Sequence, residues 1–186
     1  VYNTAVGYGA GQNVTSGVQN TLIGALAGDA ITASSLNTAV GYQALSTDVL
    51  GGKSVAVGYA ALALQNFTTA TDTFNTGVGY QAGASITTGV QNVLIGGLTG
   101  DAITDADHNT AVGHGSLSQN VLGSKNTALG TFSLLNVNPA TATDTFNVGV
   151  GYGAGQNVTT GVENTLIGGL AGDALTDADY NVAVGV

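Results

Sequence analysis

The sequence predicts an all-β fold, a parallel β-solenoid of 17- and 21-residue coils. Three observations carry this: one five-residue motif recurs along the whole chain, its spacing is fixed, and glycine is abundant while charge is scarce.

The motif is Asn-(Thr/Val)-x-(Val/Ile/Leu)-Gly. It occupies Asn3–Gly7, Asn20–Gly24, Asn37–Gly41, Asn75–Gly79, Asn92–Gly96, Asn109–Gly113, Asn126–Gly130, Asn147–Gly151, Asn164–Gly168 and Asn181–Gly185. An eleventh copy, Ser54–Gly58, has Ser in place of Asn. The motif glycines are evenly spaced except for two longer steps, Gly58 to Gly79 and Gly130 to Gly151. Three short coils and one long one therefore make a superperiod, which carries Gly7 to Gly79 and Gly151, and Lys53 to Lys125. Residues 1–186 read as a single repeat segment. Val1 stands where an initiator Met would, and neither end carries a cap of the kind solenoids need, so the array is expected to continue in both directions.

A coil this short has no room for a helix pair, and no helical periodicity is present. Each motif reads as a short strand. A second strand is expected halfway round, at Asn13–Thr15, Ser85–Thr87 and Asn157–Thr159, ahead of turns such as Ser16-Gly17. Two strands and two turns per coil describe a flat roll. At about 4.8 Å per coil, eleven coils make a rod of about 50 Å. The Val, Ile or Leu before each motif glycine is the expected core position, with the Thr or Val two residues earlier on the same face. The Ala, Leu or Gly between them would face outward, where small side chains permit close approach of a partner. Stacked Asn amides can hydrogen-bond up the rod, and the motif glycines suit a bend or a close backbone approach. These Asn and Gly ladders are assigned structural roles.

Composition narrows the function. Two basic residues, Lys53 and Lys125, stand against eleven acidic ones, for a net charge of -9. No basic patch is available for phosphates, which argues against nucleic acid. No apolar run reaches the roughly 18 residues of a membrane span, and no signal peptide opens the chain. Only 7% of residues are charged, against about a quarter in ordinary domains. Much of the surface must be covered by copies of the chain or by uncharged polar residues. Cysteine is absent, so disulfides are not the staple.

Strings such as Asn37-Thr38-Ala39-Val40-Gly41-Tyr42-Gln43-Ala44-Leu45 and Asn3–Gly11 resemble the head repeats of trimeric autotransporter adhesins, and more closely the related repeats of bacteriophage tail fibres. The resemblance covers the full chain. It implies a left-handed β-roll assembled as a trimer, with the motif strands facing the threefold axis. Those adhesin heads use shorter coils, and this chain departs from them there.

Catalytic chemistry is not expected. His108 and His114 fall in slots held elsewhere by Leu36 or Tyr180 and by Tyr42, and neither has an evident acid partner. Strings such as Gly7-Tyr8-Gly9 lack the strand–loop–helix setting of a dinucleotide fingerprint. The acids Asp101, Asp105, Asp107 and Asp173, Asp177, Asp179 open Asp-x-Asp-x-Asn runs that resemble the start of a calcium loop. They lack its later glycine and glutamate, and Ala33 and Ser35 take two of the positions in the first superperiod. Calcium ligands and solvated turns both remain open; no other cofactor is expected. Asn13, Asn66 and Asn157 sit in glycosylation sequons read as accidental.

The runs Leu62–Phe74 and Leu134–Phe146 carry the four extra residues of the long coils, expected to bulge from the rod as spacers or as contacts for a receptor, a glycan or a neighbouring rod. The expected role is a structural segment of an extended extracellular fibre, on a virion or a cell surface, built from a homotrimer. The alternative is a self-assembling filament stacked end to end. Ice binding is disfavoured, because Val55, Val93, Val148 and Val182 interrupt the threonine row.

Overall fold

The computed structural model describes residues 2–185. Fifteen short strands are present and, among the described residues, no helix. In chain order they are β1 Thr4–Val6, β2 Thr21–Ile23, β3 Thr38–Val40, β4 Gly51–Gly52, β5 Val55–Val57, β6 Thr71–Asp72, β7 Thr76–Val78, β8 Val93–Ile95, β9 Thr110–Val112, β10 Gly123–Ser124, β11 Thr127–Leu129, β12 Thr143–Asp144, β13 Val148–Val150, β14 Thr165–Ile167 and β15 Val182–Val184. The eleven motif strands form one parallel sheet in chain order, each pairing with the motif strands before and after it. Equivalent positions face each other throughout: Thr21 lies opposite Thr38, and Leu22 opposite Ala39. The long coils leave this register unshifted, with Val55 opposite Thr76. The molecule is a β-solenoid of about eleven turns.

The expected second strand is not formed at residues 13–15, 85–87 and 157–159, where the chain bends instead. Coil-to-coil hydrogen bonds persist there, but one carbonyl serves two donors. Thr32 O accepts from Thr15 N at 2.9 Å and from Gly17 N at 3.2 Å. The chain therefore turns before an extended run can develop. Away from the main sheet, the strands among the described residues are the two-residue pairs β4–β6 and β10–β12, and both lie at the long coils.

The face assignment also needs correction. The middle residue of each motif strand points inward: Leu22, Ala39, Ala56, Leu94, Ala111, Ala128 and Leu166 are fully buried. The residue before the glycine points outward, with Ile23 38% and Leu129 37% exposed. The reason lies in a second core column, four residues after the motif glycine, that complements the first in size. Leu22 fills the space left by Gly11 and Gly28, where an added Cβ would come within 2.6 and 2.7 Å of its methyls. Leu94 does the same between Gly83 and Gly100, and Leu166 between Gly155 and Gly172. Beside Ala39, Ala56, Ala111 and Ala128 the second column supplies Leu45, Leu62, Leu117 and Leu134, all fully buried. Leu62 and Leu134 also fill the space at Gly77 and Gly149 of the following coils, where an added Cβ would come within 2.9 and 2.8 Å of them. Large and small residues alternate between the columns, so the thin core stays filled.

A third inward column lies seven residues after the motif glycine. Ile31, Ile86, Ile103, Val137 and Val158 are fully buried there. The same column holds three buried polar residues, Asp48, Gln65 and Asn120.

Candidate functional site

Ten of the eleven motifs begin with an Asn whose side-chain amide bonds from coil to coil. Asn20 Oδ1 accepts the backbone N–H of Asn37 at 3.0 Å, and Asn20 Nδ2 donates to Ser34 O at 3.0 Å. The pattern repeats at Asn92 and Asn109, both fully buried; Asn126 Oδ1 also accepts the next Asn N–H, while its Nδ2 donates to Asn109 Oδ1. Buried amides are thus paired on both their oxygen and nitrogen sides, which keeps the interior polar groups satisfied. Each motif closes on a glycine with φ between +129° and +139°. An added Cβ at Gly24 would sit 2.5 Å from Gly41 O of the next coil, so stacking at this corner requires glycine.

Between these two fixed points lies the exposed face. The first and third residues of every motif strand form two rows along the sheet, one of Thr and Val, the other of Val, Ile and Leu. No residue in either row is charged. At about 4.8 Å per strand this face is about 50 Å long and about 10 Å wide, on the order of 500 Å². Most of the first row is threonine, so the face is uncharged and only partly apolar, and its size is that of the largest patch on a typical monomer, which is often functional.

An interrupted aromatic row borders the face one residue after the motif glycine, at Tyr8, Tyr42, Tyr59, Tyr80, His114 and Tyr152; Ala25, Gly97, Thr131 and Gly169 break it, and Phe132 stands beside the break at Thr131. Tyr42, Tyr59 and Tyr80 stack at centroid distances of 5.6 and 5.3 Å with planes within 15° of parallel. Further along, His114 meets Phe132 edge-on at 5.5 Å, and Phe132 meets Tyr152 at 6.2 Å. The tyrosine rings are about half exposed, so the row widens the apolar surface.

The opposite corner, the residue before each motif, is left-handed in all eleven coils, with φ from +50° to +66°. Its side chains therefore splay outward. Lys53 reaches Asp72 at 2.6 Å and lies 5.1 Å from the Phe74 ring; Lys125, Asp144 and Phe146 repeat this at 2.6 and 5.0 Å. These pairs are more than a third exposed and contribute below about 1 kcal/mol each. His108 occupies the same corner. Among the described residues, neither histidine hydrogen-bonds a carboxylate through its side chain.

The six aspartates singled out in the sequence do not converge, and the described residues hold no group of three or more acidic, His or Cys side chains placed to hold a metal ion. Several hydrogen-bond to the preceding or following coil instead. Asp107 Oδ1 accepts Val90 N at 2.7 Å, and Asp179 Oδ1 accepts Val162 N at 2.8 Å; one superperiod earlier the hydroxyl of Ser35 takes Val18 N at 3.0 Å. Asp105 accepts from the hydroxyls of Thr87 and Thr88, and Asp101 from Ser118. Asp177 accepts only from the adjacent Thr176, and Asp173 takes Asn157 Nδ2 on its backbone oxygen. At Asp29, the counterpart of Asp101 and Asp173, Oδ1 is buried without a partner, and burial pushes its carboxyl above the usual range.

Sequence reasoning missed Asp48 and Gln65. Their signal was available: both interrupt a column that is otherwise almost entirely aliphatic. No family model, curated protein or solved structure matches this chain.

Proposed function

We propose that this chain is a non-catalytic, structural segment of an extended extracellular fibre, in which copies of the rod pack through the exposed motif-strand face and hold an attachment function away from a virion or cell surface. The supporting observation is that uncharged face, running the length of a rod that carries a net charge of -9. Acidic rods repel one another, and a face free of charge is where they can meet at least cost.

The resemblance to adhesin-head and tail-fibre repeats supports three copies around a common axis, with this face turned inward. The stiffness such a fibre needs would come from the coil-to-coil hydrogen bonds and the amide ladder, which leave little freedom between coils. End-to-end filament assembly is the alternative mode.

Light scattering on the purified segment, with and without a calcium chelator, tests the reading. A trimer that survives chelation is expected. A stable monomer would overturn the shared-face assembly, open-ended polymers would replace it with the filament, and loss of the trimer on chelation would bring calcium back to the aspartate turns.

A further inference from the structure

The two long coils contain the period-two sequences Thr69-Ala70-Thr71-Asp72-Thr73 and Thr141-Ala142-Thr143-Asp144-Thr145. In such a sequence a two-residue slip puts threonine back where threonine was, on the same face. Nothing in these residues alone decides which part of the coil leaves the rod. Yet the structure is definite. Leu50 N donates to Phe67 O at 3.1 Å and Leu50 O accepts Thr71 N at 3.3 Å, so residues 68–70 stand out, exposed, between two fixed bonds. Residues 140–142 are likewise exposed one superperiod later, just before Thr143 N, which donates to Leu122 O.

At the base of the first bulge lies the buried polar cluster. Asp48 Oδ1 accepts Gly51 N at 2.9 Å and Phe67 N at 3.2 Å, and Asp48 Oδ2 accepts Gln65 Nε2 at 2.6 Å. Gln65 Nε2 also donates to Ser54 Oγ at 2.8 Å, and Gln65 Oε1 accepts Asn75 Nδ2 at 2.9 Å. Ser54 Oγ meets Thr73 Oγ1 at 2.6 Å. The cluster thus ties the long coil to its neighbours on both sides of the bulge, at residues 65–67 and at 73–75. No charged group faces Asp48: its slot is filled by Ile31 in the preceding coil and Gln65 in the following one, and its hydrogen-bond partners are all neutral.

The second superperiod solves the same problem with a different set of four residues. Asn120 replaces Asp48 and closes on Gly123 alone, accepting Gly123 N at 2.8 Å and donating to Gly123 O at 2.7 Å. Pro139 replaces Phe67 and removes the N–H that Asp48 accepts. Val137 replaces Gln65. Asn126 replaces Ser54 and supplies its own amide oxygen to Asn147 N at 3.1 Å and to Thr145 Oγ1 at 2.8 Å.

We propose that Asp48 and Gln65 form a register pin for the first long coil, fixing which residues bulge, and that they work only as a matched set with Ser54 and Phe67. Buried polar groups are best attested in this specifying role: a misregistered coil would bury a carboxylate without donors. The pin acts within one chain and does not depend on how rods associate.

Hydrogen-exchange mass spectrometry on Asp48→Asn tests it. In this variant an amide nitrogen replaces the oxygen that faces Gln65 Nε2, so two donors meet. Peptides covering 59–75 are expected to split into two exchange populations, while those covering 131–147 keep one. The set D48N/S54N/Q65V/F67P, which copies the second superperiod, should return the first bulge to a single population. If Asp48→Asn does not fold at all, the set is still expected to fold. A single, wild-type-like population in Asp48→Asn, or a set that fares no better than that single substitution, would overturn the pin.

Discussion

The side-chain oxygen of Asn92 accepts both the backbone N–H of Asn109, at 3.0 Å, and its side-chain Nδ2, at 3.2 Å. Asn109 passes the same pair of bonds on to Asn126, at 3.0 and 3.1 Å. Replacing Asn109 with Ala would leave the buried Asn126 N–H without its acceptor, a loss of about 1–3 kcal/mol. For a chain of this length that corresponds to a fall in Tm of about 2–4 °C per kcal/mol. Thermal melts followed by circular dichroism should show it, and an unchanged Tm would mean the ladder contributes no stability.

Complementary core columns predict a rescue. Leu94→Ala should cost about 2–5 kcal/mol, because the emptied volume is enclosed. Adding Gly100→Leu copies the neighbouring coil, where Ala111 pairs with Leu117 and the backbone is equally left-handed, φ +52° at Leu117 against +54° at Gly100. The double variant should recover part of the loss in denaturant titrations. Additive destabilisation would count against size exchange between the columns.

The motif glycines and their immediate neighbours should behave oppositely. At Gly96 an added Cβ would lie 2.7 Å from Gly113 O, with φ at +137°, whereas at Gly97 the nearest atom is 3.6 Å away. Gly96→Ala is expected to destabilise by at least about 2 kcal/mol. Gly97→Ala should stay within about 0.5 kcal/mol of wild type. Equal unfolding midpoints for the two variants would contradict the close-stacking explanation.

Asp48 gives stability a pH dependence of known sign. Burial pushes its carboxyl up, opposed by the hydrogen bonds from Gln65, Gly51, Phe67 and Leu50. The folded state therefore holds this proton more tightly than the unfolded chain, whose carboxyl titrates near ~3.9. Its contribution is fully present below that value and is lost as pH rises through the raised one. D48N/S54N/Q65V/F67P removes this titration. Relative to wild type, the set should be favoured most at neutral pH, with the gap narrowing as pH falls toward 4. A gap that stays constant between pH 7 and 4 would refute the assignment.

The solenoid was legible in the sequence because stacked coils force the same residue type into the same slot eleven times, and the parallel register follows from that. Which face of the motif strand is buried was not legible from the strand alone, since Thr, Val and Ile suit either side. The deciding information sits elsewhere in the coil, in the exchange between Leu22 and Gly28 or between Ala39 and Leu45. The second strand failed because alternation at Val14 and Ile86 signals burial without showing that the chain bends at once. The aspartates looked like ligands because the sequence gives their spacing but not their partners. Comparing Ser35 with Asp107 and Asp179, all accepting the same backbone N–H, shows why the position alternates between a hydroxyl and a carboxylate.

In the proposed fibre, copies of the rod meet through the outward row containing Val112. The chain has no cysteine, so a single introduced thiol reports on its own surroundings. Val112→Cys lies on the uncharged face, and Gln119→Cys is an exposed position outside both strand rows. Under mild oxidation at low protein concentration, rapid disulfide-linked dimers within the assembly are expected for Val112→Cys and few for Gln119→Cys. Slow, equal cross-linking at the two positions, in a protein whose mass in solution is that of one chain, would contradict it.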